Sequence, residues 1–156
     1  TICTPKSPNC LICPWTEHCA GRKSGIAASL PRKAARKQVP VRRGVAFWIE
    51  RPDGAVLLRR RPEKGLLGGM MEVPSGAWTA KLPGMEESAP FRTPWRKLPG
   101  KIRHTFTHFN LELTVWVAEV EDASLSGARW VQRHDLAAEA LPTVMRKIVA
   151  HVLGEG

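Results

Sequence analysis

The chain has 156 residues, with 24 Lys and Arg against 14 Asp and Glu and a formal net charge of +10. A hydrophobic content of 43% supports a packed core and excludes wholesale disorder. No apolar run approaches the roughly 18 residues of a membrane-spanning helix, and no basic-then-apolar leader opens the chain. It starts on Thr1 and reaches Cys3 at once, so we expect a segment of a longer protein.

All four cysteines, Cys3, Cys10, Cys13 and Cys19, lie in the first 19 residues, spaced C-x6-C-x2-C-x5-C. A disulfide framework would join distant parts of a fold, and this pattern joins nothing distant. Four thiolates in one short loop suit a metal centre. Structural zinc sites usually pair their cysteines in two short knuckles, whereas three unequal gaps favour an iron–sulfur cubane, with zinc as the alternative. Pro5, Pro8 and Pro14 stiffen the wrap, and Lys6, His18, Arg22 and Lys23 offset its negative charge.

Residues 20–40 carry Gly, Ser and Pro punctuation with no apolar period, and read as a connector. Arg22, Lys23, Arg32, Lys33, Arg36, Lys37, Arg42 and Arg43 crowd this region, and no acid falls between Glu17 and Glu50. The rest of the chain is nearly balanced, so the basic character belongs largely to this stretch. It suits a polyanion, with Arg32, Lys33, Arg36 and Lys37 as candidate contacts to a DNA backbone. A solvated linker is the alternative. Ala34–Lys37 is predicted as a short helical turn.

From Val41 the pattern turns to strands. Val45, Phe47 and Ile49 alternate with Ala46, Trp48 and Glu50, as in a half-buried strand. Arg51-Pro-Asp-Gly54 is a turn, and residues 55–61 (AVLLRRR) form the returning strand of a hairpin over 44–61. Residues 62–103 are rich in Gly and Pro and read as loops. Phe109, Leu111, Leu113, Val115 and Val117 give the clearest period-two strand, and Ala128–Gln132 a short one. Asp135 is predicted to cap a helix over 136–140. Leu141, Val144, Met145, Ile148, Val149, Val152 and Leu153 recur at helical spacing, ending at Gly154. The body is therefore mixed α/β (α+β).

His104-Thr-Phe-Thr-His-Phe109 stands just before the strongest strand. One reading is simple strand entry, with Phe106 and Phe109 in the core. The other is a loop that inspects a base: Phe106 as an apolar wedge, Thr107 as a hydroxyl that donates and accepts, His108 as a donor.

Three stretches resemble known families. CTPKSPNCLICPWTEHC is similar to the iron–sulfur loop that ends the catalytic domain of endonuclease III and MutY-type DNA glycosylases. The resemblance implies a 4Fe–4S cluster on Cys3, Cys10, Cys13 and Cys19 that shapes a DNA-docking loop rather than performing chemistry. Gly44–Gly76 resembles the opening of a Nudix fold, with GLLGGMMEVPSG where that family has its Trp-Glu-Leu-Pro-Gly-Gly-like turn. The Nudix helix, Gly-x5-Glu-x7-Arg-Glu-x2-Glu-Glu, is absent: counted from Gly76, its first Glu falls on Leu82, and Pro83 and Gly84 break a helix there. We therefore expect the fold without its hydrolytic magnesium site, with Glu72 a surface or hydrogen-bonded carboxylate. Finally, Phe106-Thr107-His108 resembles the Phe-Ser-His loop with which MutY-type adenine glycosylases recognise 8-oxoguanine, with Thr for Ser.

These resemblances imply a cluster loop at 1–20 that ends a catalytic domain lying upstream, a basic connector at 21–40, and a Nudix-like recognition domain with mixed β-sheet and C-terminal helix at 41–156. The implied activity is that of an adenine DNA glycosylase, an N-glycosidic hydrolase of base excision repair that removes adenine opposite 8-oxoguanine. No catalytic residue is transferred to this segment. The expected partner is double-stranded DNA bearing 8-oxoguanine:adenine mismatches, bound by a monomer in the bacterial cytoplasm at the nucleoid, with no membrane contact. The alternatives are a Nudix pyrophosphohydrolase of oxidised nucleotides and a zinc-stapled protein-interaction domain.

Overall fold

The computed structural model describes residues 1–154 and divides after Gln38 into two units. In the first, strands β1 (Cys3–Thr4) and β2 (Ser7–Pro8) pair antiparallel around Pro5 and Lys6. Pro5 presets the first corner and Lys6 takes φ 71°, the signature of a type II turn. The Thr4 hydroxyl donates to Ser7 O at 2.7 Å and closes it. A four-residue helix α1 (Ala20–Lys23) and a 3-10 turn at Ala27–Ser29 complete the unit. Residues 32–40 have no regular structure and are exposed throughout. The helical turn predicted at Ala34–Lys37 does not form, because it has no apolar face to bury and its bases Arg36 and Lys37, with Arg32 and Lys33 one turn before them, repel one another.

The second unit is a seven-stranded mixed sheet with cover on both faces. Its strands are β3 (Val41–Glu50), β4 (Val56–Arg60), β5 (Met71–Glu72), β6 (Arg96–Lys97), β7 (Ile102–Thr105), β8 (Asn110–Glu119) and β9 (Ala128–Val131). The short helix α2 (Met85–Ser88) lies between β5 and β6, and α3 (Thr143–Leu153) ends the unit. β3 and β8 run parallel in continuous register from Val41 opposite Asn110 to Glu50 opposite Glu119. β7 and β6 share the other edge of β8, antiparallel to it.

On the far side the sheet splays. β4 leaves β3 after the pair Glu50–Val56, while β9 takes the opposite edge of β4. β5 pairs with β4 through Glu72–Arg59 and Met71–Arg60, on the edge of β4 that β3 vacates. The chain then runs on beside β3: Phe47 N donates to Pro74 O, Gly76 N to Val45 O, and Arg43 and Thr79 exchange both backbone bonds. Residues 71–79 therefore fill the wedge between the two hairpin strands. That placement brings Glu72, Ser75 and Trp78 beside the arginines of β3 and β4.

Two apolar layers sandwich the sheet. Ala46, Trp48, Leu58, Leu111, Leu113 and Val115 meet Val144, Met145 and Ile148 of α3. Val45, Phe47, Ile49 and Leu57 meet Phe91, Trp95 and Trp116 on the other face. β3 is thus buried on both sides from Val45 to Ile49, not half-buried as its alternation predicts. A central strand hides both sets of side chains, and Trp48 supplies the bulk that the second face needs.

The Gly/Pro-rich stretch 62–103, read as loops, holds β5, α2, β6 and the start of β7; pairing to β4 and β8 imposes these strands, which local sequence does not announce. At 133–138 a 3-10 helix replaces the expected α-helix, with Gln132 at its start and Asp135 inside its first turn. α3 begins at Thr143, two residues after Leu141, because Pro142 presets the N-terminal corner. Gly154, at φ 72°, ends it in the left-handed conformation that glycine adopts without strain. No helix among the described residues is long and apolar enough to cross a membrane.

Candidate nucleic-acid interface

β7 and β8 form a hairpin whose turn is the motif singled out in the sequence. Thr105 pairs with Asn110, Phe106 N donates to Phe109 O at 2.9 Å, and Thr107 and His108 make the two-residue tip. Both tip residues are exposed. Phe106 and Phe109 turn inward and stack at 4.8 Å between ring centroids. His104 lies edge-on to Phe106 at 4.6 Å, and Trp78 faces it at 5.9 Å. Phe106 is packed against the core and is therefore an anchor of the turn rather than a freely projecting wedge. The strand reading holds for the aromatic residues, which enter the core, while Thr107 and His108 stay in solvent.

The bed beneath the tip holds two polar atoms that find no partner among the described residues, Trp78 Nε1 and His104 Nδ1, both buried. Burial, followed by the positive charge of Lys147, holds the His104 pKa below its ordinary value. The neutral imidazole is thus the form the hairpin accommodates. The Lys147 ammonium itself donates to Arg103 O at 2.9 Å, tying α3 to β7.

Beside this bed lies a cleft lined by Arg42, Arg59, Arg61, Glu72, Ser75 and Trp78. Glu72 is 1% exposed. Its Oε1 accepts from Arg59 Nε and Nη2 at 2.9 and 2.6 Å, and its Oε2 from Arg61 Nη1 at 2.5 Å. The Glu72 of the sequence reading is thus a hydrogen-bonded carboxylate, and a buried one. Arg59 Nη2 also donates to Ser75 O, and Arg61 Nε to Leu66 O. Arg61 lies over the Trp78 ring at 5.0 Å and Arg42 over the Phe109 ring at 4.4 Å. This cleft escapes sequence reasoning; its one local signal is Arg59 near the end of β4 and Arg61 just past it, at i, i+2, a spacing that puts both on one face of extended chain.

In the first unit, Cys3, Cys10, Cys13 and Cys19 are unpaired thiols that line a single cavity with Pro8, Thr16, Arg22 and Ala27. Thr16 is the keystone. Its hydroxyl donates to Cys10 O at 2.6 Å and accepts from Arg22 Nη1 at 2.5 Å, while its amide donates to Cys13 O. Among the described residues no three His, Cys, Asp or Glu side chains are placed to hold one metal ion. A cluster makes a different demand: each iron takes one thiolate, so the four donors surround a body instead of meeting at a point. The donor set and its shared cavity fit that group. Arg32, Lys33, Arg36 and Lys37 lie on the exposed, irregular stretch, and none has a carboxylate within 4.0 Å among the described residues.

The NUDIX domain model matches residues 45–151, and the model of the iron–sulfur binding domain of endonuclease III matches residues 3–19. The adenine DNA glycosylase of Homo sapiens is 29% identical over 168 residues, covering 94% of this chain and 30% of that protein. The chain spans less than half the length of the curated relatives it matches. Among solved structures, the C-terminal domain of mouse MUTYH, crystallised with human PCNA, superposes with a TM-score of 0.56 at 23% identity over 73% of this chain and 88% of that one. The MutT protein of Methanosarcina mazei Go1 gives 0.61 at 20% identity over 76% and 97%. Both structural likenesses speak to the fold. Where the Nudix helix would stand this chain has only the four residues of α2. An endonuclease III-type iron–sulfur segment stands ahead of a family model that covers more than half of the chain, and the chain belongs to the NUDIX domain family.

Proposed function

We propose that this chain is the lesion-recognition and DNA-holding portion of an adenine DNA glycosylase that removes adenine opposite 8-oxoguanine. The observation that carries the reading is the hairpin tip: a threonine hydroxyl and an imidazole held outward by an aromatic anchor. Guanine presents an acceptor at N7. In 8-oxoguanine N7 bears a hydrogen and C8 an oxygen. A hydroxyl that accepts from N7–H and donates to O8 tells the two apart, and the loss of such a contact costs roughly 1–3 kcal/mol. Phe106, Thr107 and His108 are the recognition residues in this reading. Glycosidic cleavage belongs to residues outside this chain.

Cys3, Cys10, Cys13 and Cys19 would hold a 4Fe–4S cluster. Bound there, it supplies a rigid body around which the loop is wrapped. Thr16 and Arg22 fix the loop around those thiols, and Lys6 stands at its turn where a phosphate can approach. Arg32, Lys33, Arg36 and Lys37 then neutralise backbone phosphates along the connector.

The test is binding of the chain to duplexes that differ only in 8-oxoguanine or guanine opposite adenine. Tighter binding of the lesion duplex, reduced in Thr107→Ala, supports the reading. Equal affinities for wild type and variant remove it.

A further inference from the structure

We infer that the cleft formed by Arg42, Arg59 and Arg61 is a phosphate-binding site, and that its occupant is a backbone phosphate of the DNA strand that the hairpin tip inspects. The choice of occupant rests on the proposed recognition of DNA; the phosphate chemistry does not.

Charge is the first argument. Three guanidiniums line the cleft against one carboxylate, so two positive charges are left without an acid. The carboxylate is not competing for a ligand either. Glu72 is buried to 1% exposure and saturated by Arg59 and Arg61, whereas those side chains stay 29% and 20% exposed. The anion is inside and the cations face the opening.

Geometry is the second. Glu72, Ser75 O and Leu66 O hold the Arg59 and Arg61 forks by four of their nitrogens, Nε and Nη2 of Arg59 and Nε and Nη1 of Arg61. Nη1 of Arg59 and Nη2 of Arg61 make no hydrogen bond within the protein among the described residues. The Arg42 guanidinium makes none among the described residues either, and its planar group rests on Phe109. Guanidinium N–H groups oriented in advance lose little freedom when they close on phosphate oxygens, and their fork matches that anion.

Position is the third. Trp78 forms one wall of the cleft and stacks on Phe106, and the Phe109 that carries Arg42 closes the recognition turn. The cleft and the tip share one aromatic bed. A strand whose base meets Thr107 therefore runs its phosphates toward the arginines.

The experiment is a salt series of binding by the whole chain to an undamaged duplex and to one carrying 8-oxoguanine opposite adenine, for wild type, Arg42→Gln, Arg61→Lys and Thr107→Ala. Arg42→Gln breaks no side-chain hydrogen bond or ion pair and gives up only the contact of the guanidinium with the Phe109 ring, so the fold is expected to hold, which the unfolding midpoint checks. It is expected to weaken both duplexes severalfold by the same factor and to lower the slope of log affinity against log salt by about one. Arg61→Lys keeps the charge and a partner for Glu72 but loses the fork, so affinity falls while the slope holds. Thr107→Ala alters lesion preference alone, which separates a failure of base recognition from a failure of the phosphate site. Unchanged affinity and slope in Arg42→Gln overturn the inference. Inorganic pyrophosphate is the free-phosphate arm: if it binds saturably and Arg42→Gln abolishes that binding while the DNA slope stays the same, DNA is the wrong occupant.

Discussion

Phe106 and Phe109 stack at 4.8 Å across the two ends of the turn that lifts Thr107 and His108 into solvent. The contact separates anchoring from recognition within four consecutive residues. Phe106→Ala removes the anchor and should cost about 2 kcal/mol, below the range for fully buried rings because Phe106 is only partly covered. Thr107→Ala should leave stability within about 0.5 kcal/mol, since the side chain touches no buried feature. Urea unfolding of the two variants checks the division; a large loss for Thr107→Ala would place the hydroxyl in the fold rather than at the interface.

Glu72 is the buried centre of its ion triad, and removing its charge strips two arginines of their partner. Glu72→Gln is expected to destabilise the domain by about 3 kcal/mol, at the low end for a broken buried pair because both arginines reach water. Chemical denaturation measures the loss.

Gly44 lies where β3 passes under the indole of Trp78. A Cβ there would stand 2.6 Å from Trp78 Cδ1 and 3.0 Å from Leu113 Cδ2. Gly44→Ala must therefore push the indole, at about 1–3 kcal/mol. The near-ultraviolet circular dichroism of the tryptophans should change with it, and weaker binding of the duplexes used above should follow if the cleft shares the Trp78 wall.

His104 is disfavoured as a cation by burial first and by Lys147 second, so its folded pKa lies below the ordinary 6.5. The unfolded chain takes up a proton as pH falls through 6.5 while the folded one resists. Its contribution is complete above that value and is lost as pH falls toward the folded pKa. His104→Gln should flatten the decline in stability as pH falls below 6.5. Denaturation midpoints of both proteins across that window decide it; parallel curves would mean that the imidazole titrates freely.

Cys13→Ser replaces a thiolate donor with a hydroxyl that binds iron poorly. Iron and acid-labile sulfide per chain are expected to fall sharply relative to wild type. Full occupancy in the variant contradicts the four-cysteine set.

Much of the domain is legible along the chain because its signals are local. The turn at Arg51–Gly54 is an example: Gly54 takes φ 84°, and the Asp53 carboxylate, held down to a pKa of about 2 chiefly by the hydrogen bond from Arg51, also accepts from Ala55 N. Period two in residues 109–117 marks β8, and period 3.6 marks α3. The turn residues Phe106, Thr107 and His108 are legible too, as a motif.

What sequence alone determines here is whatever depends on neighbours a few residues away: cysteine spacing, strand and helix period, turn chemistry, and a broken Nudix helix at Pro83 and Gly84. Only the folded chain decides what depends on residues far apart. β3 is buried on both faces because β8, some seventy positions on, pairs beside it. Arg42 meets Arg59, Arg61 and Glu72 because the segment 71–79 enters the wedge between two splayed strands. No local pattern encodes that insertion, since the free energy that fixes it comes from sheet bonds and core packing formed only once the strands have met.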